Sequence, residues 1–329
     1  MKRNRLPKVM VIGELNVDLV AAGLQTEPIM GSEILAEDLE LTLGSASAIF
    51  ACGVAQLGVP VTFISKVGQD DFGRFCLDAL KTRGISTRYV KRDAKTKTGV
   101  TLSLSTARDR ALVTYLGAIA KLRYRDIDPS LFAGHRHLHL TSYFLQSGLK
   151  DRFPTLLKKA RQMGLSTSFD PNSDPSQSWE PAINKVFAET DILFLNEQEA
   201  HQLTGCAETW QALQHLAGQV PCAVIKMGPA GAAAVQNRKV TFMPGFQVSP
   251  VDTTGAGDSF AAGFITGFLE GRDIVDCLRM GNACGALSTR KPGGTTAQPN
   301  QADLKGLFRR QVRNEAPLPG QSERPVGGL

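Results

Sequence analysis

No run of about 18 apolar residues occurs in the 329-residue chain, so nothing reads as a membrane span. The six cysteines, Cys52, Cys76, Cys206, Cys222, Cys277 and Cys284, lie far apart and form no C-x-x-C pair. That argues against a zinc or redox motif and for free thiols in a reducing cytosol. The opening "MKRNRLPKVMVIGELN" is basic, then briefly apolar, and Glu14 interrupts it before a signal-peptide core of ordinary length forms. A cytoplasmic protein is expected, with no membrane partner. The net charge of +6 favours anionic ligands without singling out nucleic acid. The basic stretch 83–97 holds one aromatic, Tyr89, too few for a stacking platform, and reads as a solvated face.

Three signatures are missing as well. There is no G-x-x-x-x-G-K-[ST] phosphate loop, and the first apolar run is followed by "GELNVD" instead of G-x-G-x-x-G. "GDSFA" (257–261) comes within one residue of a hydrolase nucleophile elbow. That chemistry needs a histidine after the serine, and all five histidines precede Ser259, the last being His215. No internal repeat is present.

What remains is ordinary globular composition, 42% hydrophobic and 21% charged, on a chain long enough for one large α/β domain. Short apolar runs at 8–13, 61–68, 165–170, 191–196 and 222–228 read as buried strands. Helical stretches at 45–57, 71–83, 150–163, 208–218, 256–270, 273–289 and 301–313 alternate with them. That pattern predicts a mainly parallel sheet between helix layers. The runs 98–106 and 111–117 flank "ARDR" and read as a hairpin, either a lid over a site or an ordinary antiparallel edge. The tail 314–329, rich in Pro, Gly and charge, is expected to be disordered.

Several clusters carry possible chemistry. In "VDTTGAGDSFAAGF" (251–264), Gly255, Ala256 and Gly257 turn into an apolar helix with Asp258 in its first turn. Backbone N–H groups at such a turn form an anion site that glycine leaves open. A carboxylate beside it can take a proton from a hydroxyl. The competing reading is a helix cap with a tight turn. "NEQEA" (196–200) ends a strand with amide and carboxylate oxygens that suit Mg²⁺ through waters, or simply begins a helix with acids. "HRHLHL" (135–140) aligns three histidines if extended, read as a half-exposed strand in preference to a zinc site.

Taken in order, these pieces resemble the ribokinase-like (PfkB-type) family of sugar kinases from about Val9 to Pro299. "DTTGAGDSFAAGF" (252–264) looks like its C-terminal signature, and "GSASAIFACGVAQLGVPVTFISKVGQDDFG" (44–73) is similar to the N-terminal one. "GELNVDL", "FDPN", "NEQE" and "KMGPAG" fall in the expected places. The resemblance implies a three-layer sandwich over residues 1–313, with a small β lid inserted at roughly 15–40 and 97–118. It implies an ATP-dependent kinase using Mg²⁺ and K⁺, a small sugar or sugar-like acceptor, and a homodimer through the lid. Asp258 would be the base, and the amides of Gly255, Ala256 and Gly257 the anion hole. Asn16, Asp18, Gly44, Ser45 and Gln146 would face the acceptor. Asn196, Lys226, Gly228, Gly231 and Asn282 would face ATP. Glu199 would serve Mg²⁺ through water, and Asp252 and Thr254 a monovalent cation.

The chain also departs from ribokinases proper. Their "GGKGAN" is "GSASAI" (44–49) here, so Ala46 replaces a lysine and Ile49 a sugar-binding asparagine. Gln146 stands where they carry a glutamate. The expected activity is phosphoryl transfer to a hydroxyl of a sugar or sugar acid. The alternatives are a nucleoside kinase of the same fold and a non-catalytic sugar- or nucleotide-binding module.

Overall fold

A computed structural model describes residues 8–106 and 110–315. The "ARD" of the expected hairpin turn and 316–329 of the expected tail lie outside the described residues. The chain begins with β1 (Val9–Ile12), β2 (Asn16–Leu24), β3 (Asp38–Leu43), α1 (Ala46–Gln56), β4 (Val61–Gly68) and α2 (Asp71–Thr82). It continues with β5 (Val90–Asp93), β6 (Gly99–Thr106), β7 (Arg110–Tyr115), β8 (His137–Thr141), α3 (Phe153–Gln162) and β9 (Ser166–Asp170). Next come α4 (Asn184–Phe187), β10 (Ile192–Asn196), α5 (Glu197–Thr204), α6 (Thr209–Leu216), β11 (Cys222–Lys226), β12 (Gly231–Gln236) and β13 (Lys239–Pro244). Three helices close the chain: α7 (Ala256–Leu269), α8 (Ile274–Ser288) and α9 (Gln301–Glu315).

Nine strands form the main sheet in the order β13-β12-β11-β10-β9-β8-β1-β4-β5. From β11 to β5 all pairs are parallel, and β12 and β13 add an antiparallel margin. Strands buried on both sides need continuous apolar runs, as the sequence has. Side chains alternate between two cores. Met10, Ile12, Leu138, Leu140, Leu193 and Leu195 pack with α3 and α6. Val9, Val11, Phe63, Phe194 and Val224 pack with α1, α2, α7 and α8 on the other face.

This double cover corrects the reading of β8 as half exposed, because His137 and His139 are 0% and 1% exposed. Burial pushes His137 down to about 3, which keeps its ring neutral at ordinary pH. His137 Nε2 and His139 Nδ1 lie 2.7 and 2.6 Å from Ser168 Oγ. The His139 ring stacks on Phe50 at 3.6 Å. Among the described residues no group of three His, Cys, Asp or Glu side chains could hold a metal.

A second sheet, ordered β3-β2-β6-β7, starts where β1 ends. Its register separates two faces by period-two alternation. Leu41, Leu19, Leu102 and Val113 are direct partners across it, and Asp18, Thr42, Thr101 and Thr114 form a neighbouring row on the other face. The polar face looks toward the main sheet's carboxyl edge, where Arg110 of β7 donates to Thr254 Oγ1 before α7 at 2.9 Å. The apolar face is open, with Leu39 68%, Val113 54% and Tyr115 54% exposed.

Candidate active site

The carboxyl ends of β1, β8, β9, β10 and β11 converge below the second sheet, the usual ligand position in an open α/β sheet. The turn before α7 enters from the opposite side. Gly255 has φ 70 and precedes Ala256, the first helical residue. A Cβ on Gly255 would lie 2.9 Å from Gly294 Cα and from Ile49 Cγ2, so only glycine fits. A Cβ on Gly257 would lie 3.1 Å from Lys226 Nζ, which places the bare backbone of the turn against that ammonium.

Asp258 follows on the same helical turn. Burial, then the charge of Asp170, raises it to about 7, against the opposing pull of Lys226. Lys226, at the end of β11, pairs with Asp170 Oδ2 of β9 at 2.6 Å. Burial would lower the Lys226 ammonium, but Asp170 and Glu199 hold it above its ordinary range. This mixed group of three carboxylates and one ammonium is where strongly perturbed acid–base groups gather.

Beside it lies a cavity of ≈ 240 Å³ lined by Lys226, Gly228, Gly231, Ala256, Gly257 and Asn282. Gly231 has φ 116, and a Cβ there would meet Met243 O at 2.2 Å. Asn282 donates to the carbonyls of Met243 and Pro244 at 2.9 and 3.0 Å, so its amide fixes the cavity wall. Asn196 caps α5 by accepting from Glu199 N at 2.8 Å. Glu199 Oε2 accepts from Asn196 N, also at 2.8 Å. The pair is therefore a capping box. Glu199 is buried, and burial with the nearby Asp170 charge raises its carboxyl.

Toward the second sheet, Asn16 donates to Asp18 Oδ1 at 3.0 Å. Both residues belong to β2. Burial raises Asp18 to about 7, moderated by the Asn16 hydrogen bond and by Arg110. A Cβ on Gly44 would sit 2.0 Å from Asp18 Oδ1, so the glycine gives that carboxylate its space. Ser45 and Gln146 lie beneath, at 8% and 0% exposure. The Ser45 hydroxyl donates to Glu14 O at 2.6 Å and caps α1 through Ala48 N. Asp252 accepts from Thr254 N and Gly293 N, both at 2.8 Å, and so joins two loops behind the turn.

The model of the pfkB family of carbohydrate kinases matches residues 6–301. The chain belongs to that family. A 2-dehydro-3-deoxygluconokinase of Bacillus subtilis strain 168 is 32% identical over 283 residues, covering 82% of this chain and 87% of its own. A fructokinase of Klebsiella pneumoniae is 31% identical over 316 residues, covering 91% and 98%. The crystal structure of a putative ribokinase II from E. coli in complex with ATP and Mg²⁺ superposes with a TM-score of 0.82 at 26% identity, covering 93% and 100%. The fold of this pfkB-family chain is thus ribokinase-like.

Motif reading did not single out three residues of this site. Asp170 was visible only as the acid in "FDPN", Glu14 as a charge in an apolar opening, and Arg110 as part of a turn. Each finds its role through partners far away in sequence: Asp170 through Lys226, Arg110 through Thr254, and Glu14 through Thr141 and Gln146.

Proposed function

We propose that this pfkB-family chain transfers the γ-phosphate of ATP to a hydroxyl of a small sugar or sugar acid, with Asp258 as the base. The observation that carries the reading is the turn at Gly255–Gly257. Its bare backbone lies against the Lys226 ammonium, Ala256 and Gly257 line the adjoining cavity of ≈ 240 Å³, and Asp258 follows in the first turn of α7. The backbone amides of Gly255, Ala256 and Gly257 and the Lys226 charge stabilise the transferring phosphoryl oxygens. Asp258, raised to about 7, is a base matched to neutral pH. Asn16 and Asp18 orient the acceptor.

Mg²⁺, when bound with the nucleotide, would supply charge neutralisation at the phosphates. Glu199 offers a hard oxygen for it through water, and the nearby Asp170 carboxylate fits the same chemistry. Asp252 and Thr254 join loops suited to a monovalent cation, K⁺ by the resemblance.

Ile49 bears on the acceptor. It is 3% exposed and packs against Gly255 and Gly294, where it can make no hydrogen bond to a sugar hydroxyl. Burying a hydroxyl there without a partner costs about 1–3 kcal/mol. A deoxy or keto-deoxy sugar acid fits this wall better than ribose. The open apolar face of the second sheet completes the reading as the contact of a homodimer. The test is ADP release with ATP and ribose, fructose, 2-keto-3-deoxygluconate or adenosine. The highest kcat/KM is expected for the sugar acid. Ribose ranking first would refute the argument from Ile49, and no turnover with any of them would refute the kinase reading.

A further inference from the structure

Beneath the acceptor wall, several polar side chains converge on one carboxylate. Glu14, on the turn between β1 and β2, is 3% exposed. All the hydrogen bonds it receives come from neutral donors. Oε1 accepts from Ser47 N at 3.0 Å and Ser142 Oγ at 2.8 Å. Oε2 accepts from Ser47 Oγ at 2.6 Å, Thr141 Oγ1 at 3.2 Å and Gln146 Nε2 at 3.4 Å. Five neutral donors thus surround its two carboxyl oxygens. The first turn of α1, where Ser47 lies, adds the favourable end of the helix dipole. The Glu14 carbonyl meanwhile accepts from Ser45, which is held at φ 78, a region costly for a side-chain residue. One residue thus ties the entry to β2 to the start of α1 and to the end of β8.

Gln146 has one arrangement here. Its Nε2 donates to Thr141 O at 2.7 Å as well as to Glu14, and its Oε1 is buried without a partner. Reversing the amide would press an oxygen against a carbonyl and a carboxylate. A glutamate at 146, the residue the resemblance gives ribokinases, would meet the same two oxygens with a full charge. The negative charge under this wall therefore sits at 14 instead of 146.

We propose that Glu14 is a positioning residue for phosphoryl transfer, that it sets the wall formed by Asn16, Gly44 and the start of α1, and that Gln146 anchors Glu14 without touching the acceptor. The inference rests on the kinase reading above. Glu14 also adds negative charge toward Asp258, along with Asp170 and Glu199, against the Lys226 ammonium. Toward Asp18 it acts with Asp252 against Arg110.

The test uses the full-length protein with ATP and the best acceptor from the screen. Glu14→Gln is expected to raise the acceptor KM about tenfold or more while the ATP KM stays within about twofold. It removes a negative charge, so the acid limb of kcat/KM moves down by about half a pH unit. That shift reports the Glu14 charge, and the split between the acceptor and ATP KM values reports positioning. Gln146→Glu is expected to lower kcat/KM about a hundredfold and Tm by about 3 °C or more. Adding Glu14→Gln to it relieves the carboxylate pair and restores at least about a tenth of the loss in each. Wild-type behaviour of Gln146→Glu, or additive effects in the double variant, would overturn the pairing. Equal rises in both KM values would overturn the positioning role. If the wild type phosphorylates no acceptor, the kinase reading and the positioning role fall together, and the melting temperatures alone decide the pairing.

Discussion

Asp258, the base of the proposed reaction, is a carboxyl raised by burial and by the charge of Asp170. Its rise from 3.8 to about 7 means the native state holds the proton more tightly than the unfolded chain does. Its contribution to stability is therefore complete below about pH 4 and lost as pH rises through about 7. Asp258→Asn should melt higher than wild type at pH 8, with the gap closing toward pH 4, as differential scanning calorimetry would show. The same variant should lose about 10²–10⁴-fold in kcat. Retention of more than roughly a tenth of the rate would remove Asp258 as the base. In the wild type, kcat/KM for the acceptor should fall at least tenfold per pH unit below about 7, where Asp258 and Asp18 both take up protons. A flat profile from pH 5 to 8 would contradict both assignments.

At the scale of the element, the junction of turn and helix at α7 needs its glycine twice over. Gly255 adopts φ 70, and any Cβ there strikes Gly294 and Ile49. Gly255→Ala should cost about 1–3 kcal/mol of stability by chemical denaturation. It should also lower kcat about a hundredfold, because the amides move off the phosphoryl. Wild-type kcat in a folded Gly255→Ala protein would rule out this turn as an anion hole. The α7 helix was legible in the sequence because "DSFAAGFITGFL" is apolar almost throughout, and the helix is buried from Ser259 to Gly267. The β2 strand was not. "NVDLVAAGL" follows β1 after three residues, only the family resemblance assigned it to the lid, and its partner β6 lies far along the chain.

For the whole molecule, the second sheet turns its polar face inward and leaves its apolar row to solvent, the reverse of an ordinary covering sheet. Sedimentation equilibrium should give twice the chain mass, and Leu102→Asp with Val113→Asp should return it to one. A wild-type monomer at micromolar concentration would refute the dimer. Chelation by EDTA should abolish turnover and added Mg²⁺ restore it, since ATP's charge must be neutralised before the acceptor oxygen can approach. Full activity in EDTA would refute the need for the ion.

The sequence by itself determined the alternation of strand and helix, the continuous apolar strands of a doubly covered sheet, and the glycine turn before Asp258. These depend on period, propensity and steric freedom, which act over a few neighbouring residues. Only the tertiary structure decided that Asp170 grips Lys226, that Arg110 reaches Thr254, and that Ser45 and Gln146 hydrogen-bond to Glu14. Those pairs are 31 to 144 residues apart, and what unites them is the convergence of strand ends at one edge of the sheet. No local pattern encodes that meeting, because strand order in space, not spacing along the chain, sets which charges must neutralise each other.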